Sequence, residues 1–532
     1  MARFRLAAAV LFIALINSAP GWAQQTQSDN SSNQTQSKQT PPQKTVTPQT
    51  PPEPQRRNEA QGIMAPRATG PESEINKFHF FGSVKVRFED NNYFSSKKAD
   101  GNYAYGGSIL RFGVRRETSK EDFLLELAVP ALYNLPTHST GPSPQGALGQ
   151  GASYFTSNHS QVASLFPKQF YEKFKHVGDP NSSLQVGRFE FIDGAENRVA
   201  DGSLAYLKQN RIANRLLSPN PFSYVGRSFD GVHFTNQSSN HTFTFVGAMP
   251  TRGGYDLMGG DELNNIRVGY IADTVPKGGS NSKHVSDSRI FAIFYQDTRG
   301  SDVAKVDNRS ASARQKDWDP LNIATIGGHD VRIFPLGSGR MDTLLWGAGQ
   351  FGKWGQLNQA AYAFDAEVGY QPKDSHLKPW YRIGYYKGSG DGNGNNGVHG
   401  TFFPMLPSGR TYARFPFFAT ANLTDGFIEQ VLRPTPKIVV RSDVRFLGLA
   451  DKHDLYYTGS GAYDDSNFGF TGRTSSGSSS LATLYDTSVD YQLDKTTLFI
   501  AYAGFAHGGT ILSSIYSNRD AFFAYLEVQK RF

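Results

Sequence analysis

The sequence of 532 residues contains no cysteine. That absence excludes a disulfide framework, a cysteine-based metal site and the acylated cysteine of a lipoprotein. No Gly-x-Ser-x-Gly elbow, His-Glu-x-x-His motif or P-loop is present either. We therefore expect neither an enzyme nor a protein that carries a cofactor.

Long apolar runs are also missing, apart from one near the start. Two arginines precede an apolar stretch from Leu6 to Ile16, and small residues spaced for cleavage follow. This pattern predicts a secretory signal peptide over residues 1–23. Residues 24–76 are rich in Gln, Ser, Thr and Pro and hold few large apolar side chains, so we expect a disordered periplasmic linker. The chain is thus predicted to be exported and to lack membrane-spanning helices.

Positive charge, in contrast, is in surplus. The formal net charge is +7, and because the charges of residues 24–76 cancel, most of the surplus lies in residues 77–532. In an exported protein such a surplus favours an anionic solute or anionic lipid head groups as partners, and not nucleic acid.

Residues 77–532 alternate between apolar and polar side chains with a period of two, which is typical of β-strands with two different faces. The carboxyl-terminal strand shows this most clearly, with one face made of Phe522, Ala524, Leu526, Val528 and Phe532. The other face carries Phe523, Tyr525, Glu527, Gln529 and Arg531. A soluble β-sandwich also alternates. However, an aromatic apolar face opposite long charged side chains favours a strand that faces lipid, and the terminal Phe is typical of the last strand of an outer-membrane barrel.

About eighteen segments show this pattern, a number within the range of single-chain bacterial barrels. The first includes residues 77–89, the second surrounds Leu110 to Val114, and the third includes residues 123–129. The others are predicted at 168–177, 183–190, 227–235, 241–249, 264–272, 288–297, 322–334, 341–351, 358–371, 378–387, 426–433, 437–447, 482–493, 496–505 and 521–532.

The lengths of the connections support this count. The links that follow even-numbered strands are short, with the exception of 273–287, whereas long links follow odd-numbered strands at 133–167, 191–226, 298–321, 388–425 and 448–481. Short turns at one end and long loops at the other are typical of transmembrane barrels. We predict an all-β, closed antiparallel barrel in which the last strand pairs with the first, so that Glu527 and Arg531 share an inner wall with Lys85 and Arg87.

Charged side chains at lipid-facing positions near the membrane centre would be costly, so the alternation assigns them to the lumen. The basic residues assigned to the lumen are Lys85, Arg87, Arg111, Arg115, Arg227, Arg267, Arg332, Arg382, Arg441 and Arg445. The acidic ones are Glu89, Glu126, Asp365, Glu367, Asp443, Asp486, Asp490 and Glu527.

Two interpretations of these charges remain open. They can form ion pairs between neighbouring strands and hold the wall together, or they can line a pore that selects anions. The early strands favour the second interpretation, because Lys85, Arg87, Arg111 and Arg115 have few carboxylates near them in sequence. We expect an unbalanced positive wall there.

Ser203–Leu217 is predicted to form a short helix within one long loop. Lys208, Arg211 and Arg215 fall on one face of it at helical spacing. This face is either the solvated side of a loop helix or a basic patch at the pore mouth that attracts polyanions.

Asp391, Asn393 and Asn395 match the opening of a calcium-binding loop. Phe402, however, occupies the position at which an EF-hand needs a bidentate Glu. A Gly/Asn-rich surface loop is therefore the alternative interpretation.

Five stretches together resemble the alginate export family of outer-membrane porins. They are Leu-Gln-Val-Gly-Arg-Phe-Glu-Phe-Ile-Asp-Gly at 184–194, Val-Gly-Arg-Ser-Phe-Asp-Gly-Val at 225–232, Gly-Tyr-Tyr-Lys-Gly-Ser-Gly-Asp at 384–391, His-Gly-Thr-Phe-Phe-Pro at 399–404 and Tyr-Ala-Arg at 412–414. The resemblance extends from about residue 77 to the end, and it implies an eighteen-stranded barrel with an Arg-rich pore for an anionic uronate polymer.

Arg188 and Arg227 both lie in these stretches, so the resemblance adds Arg188 to the pore residues and supports the assignment of Arg227. It implies a long loop between the third and fourth strands, which 133–167 fits. It further implies a long periplasmic turn late in the chain, and the link Asp494–Lys495 is too short for that.

The sequence thus predicts an outer-membrane porin with its amino-terminal linker in the periplasm. It would allow anionic saccharides such as uronates, or other anionic solutes, to diffuse passively. Its expected partners are outer-membrane lipid and the anionic solute, and a monomer is expected. The alternatives are a weakly selective general porin and a plugged barrel that acts as an enzyme or receptor.

Overall fold

The computed structural model describes residues 76–279, 282–300, 302–373, 375–408 and 412–532. The predicted signal peptide, 1–23, and nearly all of the predicted linker, 24–76, lie outside the described residues.

The described residues form a closed antiparallel barrel of 18 strands, as the sequence predicted. Numbered with the other strands in chain order, the barrel strands are β1 Phe78–Asn92, β2 Asn102–Glu117, β3 Glu121–Tyr133, β4 Phe166–Lys175, β5 Ser182–Phe189, β6 Phe229–Gln237, β7 Thr242–Pro250, β8 Ile266–Lys277, β9 Val285–Asp297, β10 Leu321–Leu336, β11 Gly339–Trp354, β12 Leu357–Gln371, β13 Trp380–Gly388, β15 Leu423–Thr435, β16 Ile438–Leu449, β19 Ser480–Gln492, β20 Thr497–Gly508 and β21 Asp520–Arg531.

Three further strands in the described part of the chain are short and lie in the loops. Strand β14, Val398–His399, pairs in parallel with the start of β12. Strands β17, Tyr456–Gly459, and β18, Phe470–Arg473, form a separate hairpin.

The described helices are short. They are α1 Gln150–Asn158, α2 Gly202–Leu207, α3 Ala311–Gln315 and α4 Thr510–Ile515, and a π-helical turn, Lys208–Ile212, continues α2. None of the helices in the described part of the chain has the length and apolarity that crossing a membrane requires.

The barrel closes where β1 pairs with β21, with Arg87 opposite Glu527 and Ser83 opposite Arg531. The faces of β21 are those predicted, since Phe523, Tyr525 and Glu527 are buried inside while Leu526 and Val528 are exposed on the outside. Closure leaves no unpaired edge that lipid would have to solvate.

The lengths of the connections alternate as predicted, with short links after even-numbered barrel strands and long links after odd-numbered ones. The link between β8 and β9, which looked long in the sequence, is a short turn because both strands extend further than predicted. The one departure is the two-residue turn Gly355–Gln356, which lies at the end where the other connections are long. We call the two ends of the barrel the long-loop end and the short-turn end.

The long loops fold into the barrel and bring apolar side chains with them. Leu207 and Ile212 of one loop and Phe402 and Met405 of another are at most 1% exposed and belong to one apolar core with inward-facing residues of the wall. The interior therefore contains a packed core in addition to charged groups.

Candidate functional site: the barrel interior

The seam between the first and last strands carries a buried arginine. The guanidinium of Arg87 contacts the Glu527 carboxylate at 2.5 Å and the Glu89 carboxylate at 3.3 Å, and all three side chains are fully buried. The guanidinium also lies 3.5 Å from the centre of the Phe222 ring, which a loop brings against the wall. The predicted position of Glu527 beside Arg87 is confirmed.

The other early-strand arginines are paired too. Arg111 donates to Glu126 at 2.5 Å and to Glu190 at 2.9 Å. Arg115 makes two bonds of 2.7 Å to Asp122. The expectation of an unbalanced positive wall is wrong, because Asp122 and Glu126 of the neighbouring strand pair with these arginines and the fold adds Glu190 and Glu527, which lie far away in sequence.

Lys85 is also buried inside, whereas Arg188, which the family resemblance added to the pore residues, lies on the outer face of β5. Arg188 is opposite Phe170 and two residues after Val186, and these two side chains are 54% and 42% exposed. The ammonium of Lys85 donates to the backbone carbonyls of Pro221 and Ser223 at 2.9 and 3.2 Å. Arg188 contacts Asp230 at 2.6 Å and Glu262 at 3.1 Å.

Arg227 differs from these arginines, since its bonds go to backbone carbonyls. It donates to Ser218, Leu406, Ser460 and Ala462 and so ties three loops together. Burial lowers the pKa of Arg227 to about 10, because a buried cation loses its hydration.

The later strands carry a continuous ion-pair network. Arg382 contacts Asp342 and, at 2.5 Å, Glu367. Arg445 contacts Asp425 at 2.7 Å and Asp443 at 2.6 Å. Arg441 lies 3.2 Å from Asp443 and 3.4 Å from Asp486. In this part of the barrel, the wall matches the interpretation in which ion pairs between strands hold the wall together.

Two lumen residues that were predicted from the alternation, Arg267 and Arg332, also face the outside. Arg332 has 65% of its side chain exposed and pairs with Asp330 at 2.7 Å, and Arg267 is exposed as well. Their strands turn apolar residues such as Ile266 and Val331 inward, where the apolar core of the loops covers them. The rule that polar residues face inward fails at these two positions, because apolar loop residues cover the inner face there.

The loop between β5 and β6 crosses the barrel, and its basic residues hold it to the far wall. Lys208 contacts Asp287 at 2.6 Å, Arg211 contacts Glu367 at 2.7 Å, and Arg215 contacts Asp365 at 2.5 Å.

These contacts overturn both interpretations of the predicted helix. The three side chains are at most 4% exposed, so they are neither solvated nor a patch at the mouth. Burial lowers the pKa of Lys208, and Asp287 opposes that shift.

The same loop is anchored at its other end to the first strand, where Pro221, Phe222 and Ser223 contact Lys85 and Arg87. We call residues 190–228 the crossing loop. It spans the interior between β1 on one side and β9 and β12 on the other, and so it narrows the lumen.

The inner wall near the short-turn end remains partly exposed and is mainly cationic. The partly exposed basic side chains that face inward there are Lys173, Lys175, Arg340, Arg414, Arg433, Arg441 and Arg531. Among the described residues, the partly exposed carboxylates that face inward at this end are Glu117 and Asp490. We call this region the cationic vestibule.

Most of the cationic vestibule was missed from the sequence. Arg441 was predicted, and Arg531 was placed on the inner face without a role. Arg414 belongs to a loop, yet it lies 3.2 Å from Asp490 on β19. Strand alternation cannot locate such a residue. The only signal was its place in one of the family-like stretches.

The predicted calcium loop forms successive turns. Asp391 accepts from the Asn393 backbone N–H at 3.0 Å, and Asn393 accepts from Asn395 at 3.1 Å. In the described part of the chain, no group of three or more acidic or histidine side chains is arranged to hold a metal ion. This geometry gives the calcium interpretation no support.

The fold is that of outer-membrane porins. It is similar to OccK9 (OpdG) of Pseudomonas aeruginosa, with a TM-score of 0.53 and 10% identity over 86% of this chain and 98% of that chain. It is also similar to a BenF-like porin from Pseudomonas fluorescens Pf-5, with a TM-score of 0.53 and 9% identity over 86% and 99% of the two chains. For OpdK of Pseudomonas aeruginosa, solved with vanillate, the TM-score is 0.50, with 9% identity over 85% and 98%.

The model of the alginate export family matches residues 284–524. The match confirms the resemblance to the alginate export family that was drawn from the sequence. No curated protein matches the chain. The family match and the porin fold together support an outer-membrane β-barrel channel for the passage of solutes.

Proposed function

We propose that the channel carries anionic solutes, and in particular anionic saccharides such as uronates, by passive diffusion. The observation that carries this proposal is the cationic vestibule, where partly exposed Lys and Arg side chains outnumber partly exposed carboxylates. A water-filled mouth lined by one sign of charge concentrates ions of the opposite sign. The long-loop end then faces the exterior, while the vestibule and the amino-terminal linker face the periplasm.

No covalent step is needed. An entering carboxylate exchanges part of its hydration for the guanidinium groups of the vestibule, whose planar fork suits carboxylates and keeps its charge. Further in, the ion pairs of the wall and the crossing loop narrow the path. A saccharide therefore meets its strongest attraction at the mouth and its tightest steric limit at the loop.

A weakly selective porin is the second candidate. Its support is the pairing of Arg87, Arg111, Arg382 and Arg445 with carboxylates, which neutralises the wall at mid-height. If the narrowest section controls permeation, a neutral wall gives little preference between anions and cations.

Flux into liposomes separates the two candidates. Purified protein is reconstituted, and the uptake of a uronate trisaccharide is compared with that of a neutral trisaccharide at low ionic strength. The proposal predicts uronate uptake several-fold faster, with the difference shrinking at high salt because the attraction is screened. Equal rates at low salt would favour the weakly selective porin, and no uptake of either sugar would favour a plugged barrel.

A further inference from the structure

A polar cavity lies on the outer face of the barrel at the long-loop end, remote from the lumen. Its volume is about 520 Å³, and it lies between the ends of β15, β16, β19 and β20, beside α4. The lining residues that matter chemically are Thr424, Ser480, Thr483, His507, Thr510 and Arg519.

These groups are available to a ligand. The hydroxyls of Thr424, Thr483 and Thr510 and the guanidinium of Arg519 have no hydrogen-bond partner among the described residues. The Nδ1 of His507 lies 2.8 Å from the Asp520 carboxylate, and that contact leaves Nε2 free. Hydroxyls, an imidazole and a guanidinium together suit a sugar that carries phosphate, because Arg pairs bidentately with phosphate and hydroxyls exchange bonds with sugar hydroxyls.

The position of the cavity indicates how such a ligand is presented. Phe446 lines the cavity, is 56% exposed and points outward from the wall, and Phe505 on β20 is exposed at 42% on the same outer face. Aromatic side chains of this kind form the girdle at the edge of the apolar band of a membrane barrel. The cavity therefore lies where lipid acyl chains give way to head groups.

We propose that this cavity, which we call the rim cleft, binds the phosphorylated saccharide head group of a lipid in the outer leaflet. Arg519 and His507 contact the phosphate, the threonine hydroxyls contact the sugar, and the acyl chains lie along Phe446 and Phe505. This inference uses the proposed orientation, in which the long-loop end faces the exterior, but it does not depend on what the lumen conducts.

Native mass spectrometry of the full chain in detergent tests this assignment, with deep-rough lipopolysaccharide as the probe. The double variant R519A/T483V is expected to bind the lipid at least fivefold more weakly than the unchanged chain. The matched control is R267A, since Arg267 is also exposed on the outer face near the long-loop end, and its binding is expected to stay within twofold. Heat-modifiable migration on gels shows that each variant is folded.

Three outcomes would overturn the proposal. They are unchanged binding by R519A/T483V, an equal loss in R267A, and binding of glucose 1-phosphate as tight as that of the lipid. The last result would identify a soluble sugar phosphate as the ligand. Bilayer conductance of the same samples tests the proposed channel function separately from lipid binding. Loss of the pore activity leaves lipid binding at the rim cleft unaffected.

Discussion

At the scale of single residues, the buried arginines act in pairs with carboxylates. Arg87 is the clearest case, since its guanidinium is fully buried and Glu527 is its nearest carboxylate. Removing one partner of such a pair leaves an uncompensated charge in a medium that solvates it poorly.

Glu527→Ala is therefore expected to lower the free energy of unfolding by about 3 kcal/mol. Urea unfolding of the barrel reconstituted in lipid vesicles measures this change. The control is Lys530→Ala on the outer face of the same strand, which should change the free energy by no more than about 0.5 kcal/mol. Equal effects of the two substitutions would show that the seam does not depend on this pair.

The same argument changes the role of Arg111 and Arg115. The sequence presented them as selectivity residues, but both are held by carboxylates in bidentate contacts. Arg111→Ala is expected to destabilise the barrel by about 2 to 4 kcal/mol and to leave ion selectivity unchanged. A large shift in reversal potential with unchanged stability would contradict this assignment.

At the scale of elements, the crossing loop is the part of the molecule that is fixed to the inner wall and narrows the lumen. Lys208, Arg211 and Arg215 hold it against β9 and β12, and its far end rests on β1. A loop held by ion pairs loses its anchor when the charges are removed, even if the apolar contacts remain.

The double variant Lys208→Met/Arg211→Met is expected to raise the single-channel conductance at least twofold, because the loop no longer stays across the lumen. Methionine keeps much of the apolar stem, so the packing against the wall is largely preserved. Arg332→Met, on the outer face, is the control and should leave the conductance unchanged. An unchanged or smaller conductance in the double variant would show that the loop does not limit the current.

The positions of the strands were more predictable from the sequence than the orientation and the partners of their charged side chains. Each barrel strand could be located from alternation, because a strand between lipid and an interior must alternate whatever its partners are. The direction of the alternation could not be derived for β8 and β10, since it depends on whether a loop or water covers the inner face. Arg267 and Arg332 were misplaced for this reason. The sequence also did not reveal that Arg111 pairs with Glu190 and that Lys208 pairs with Asp287, because these carboxylates come from distant strands and loops.

At the scale of the whole molecule, charge is distributed unevenly along the barrel axis. The middle is neutralised by pairs, whereas the short-turn end exposes the cationic vestibule. Under the proposed function, anion preference therefore resides in the mouth, and its strength depends on the number of cationic side chains in the vestibule.

The reversal potential of single channels in planar bilayers under a potassium chloride gradient tests this directly. The chloride-to-potassium permeability ratio is predicted to exceed one, and to fall toward one in Lys173→Gln/Arg531→Gln, which removes two cations of the vestibule. Arg332→Gln, which removes an outward-facing cation, should retain the ratio of the unchanged chain. A ratio at or below one in the unchanged chain, or equal ratios in all three proteins, would contradict an anion-selective mouth.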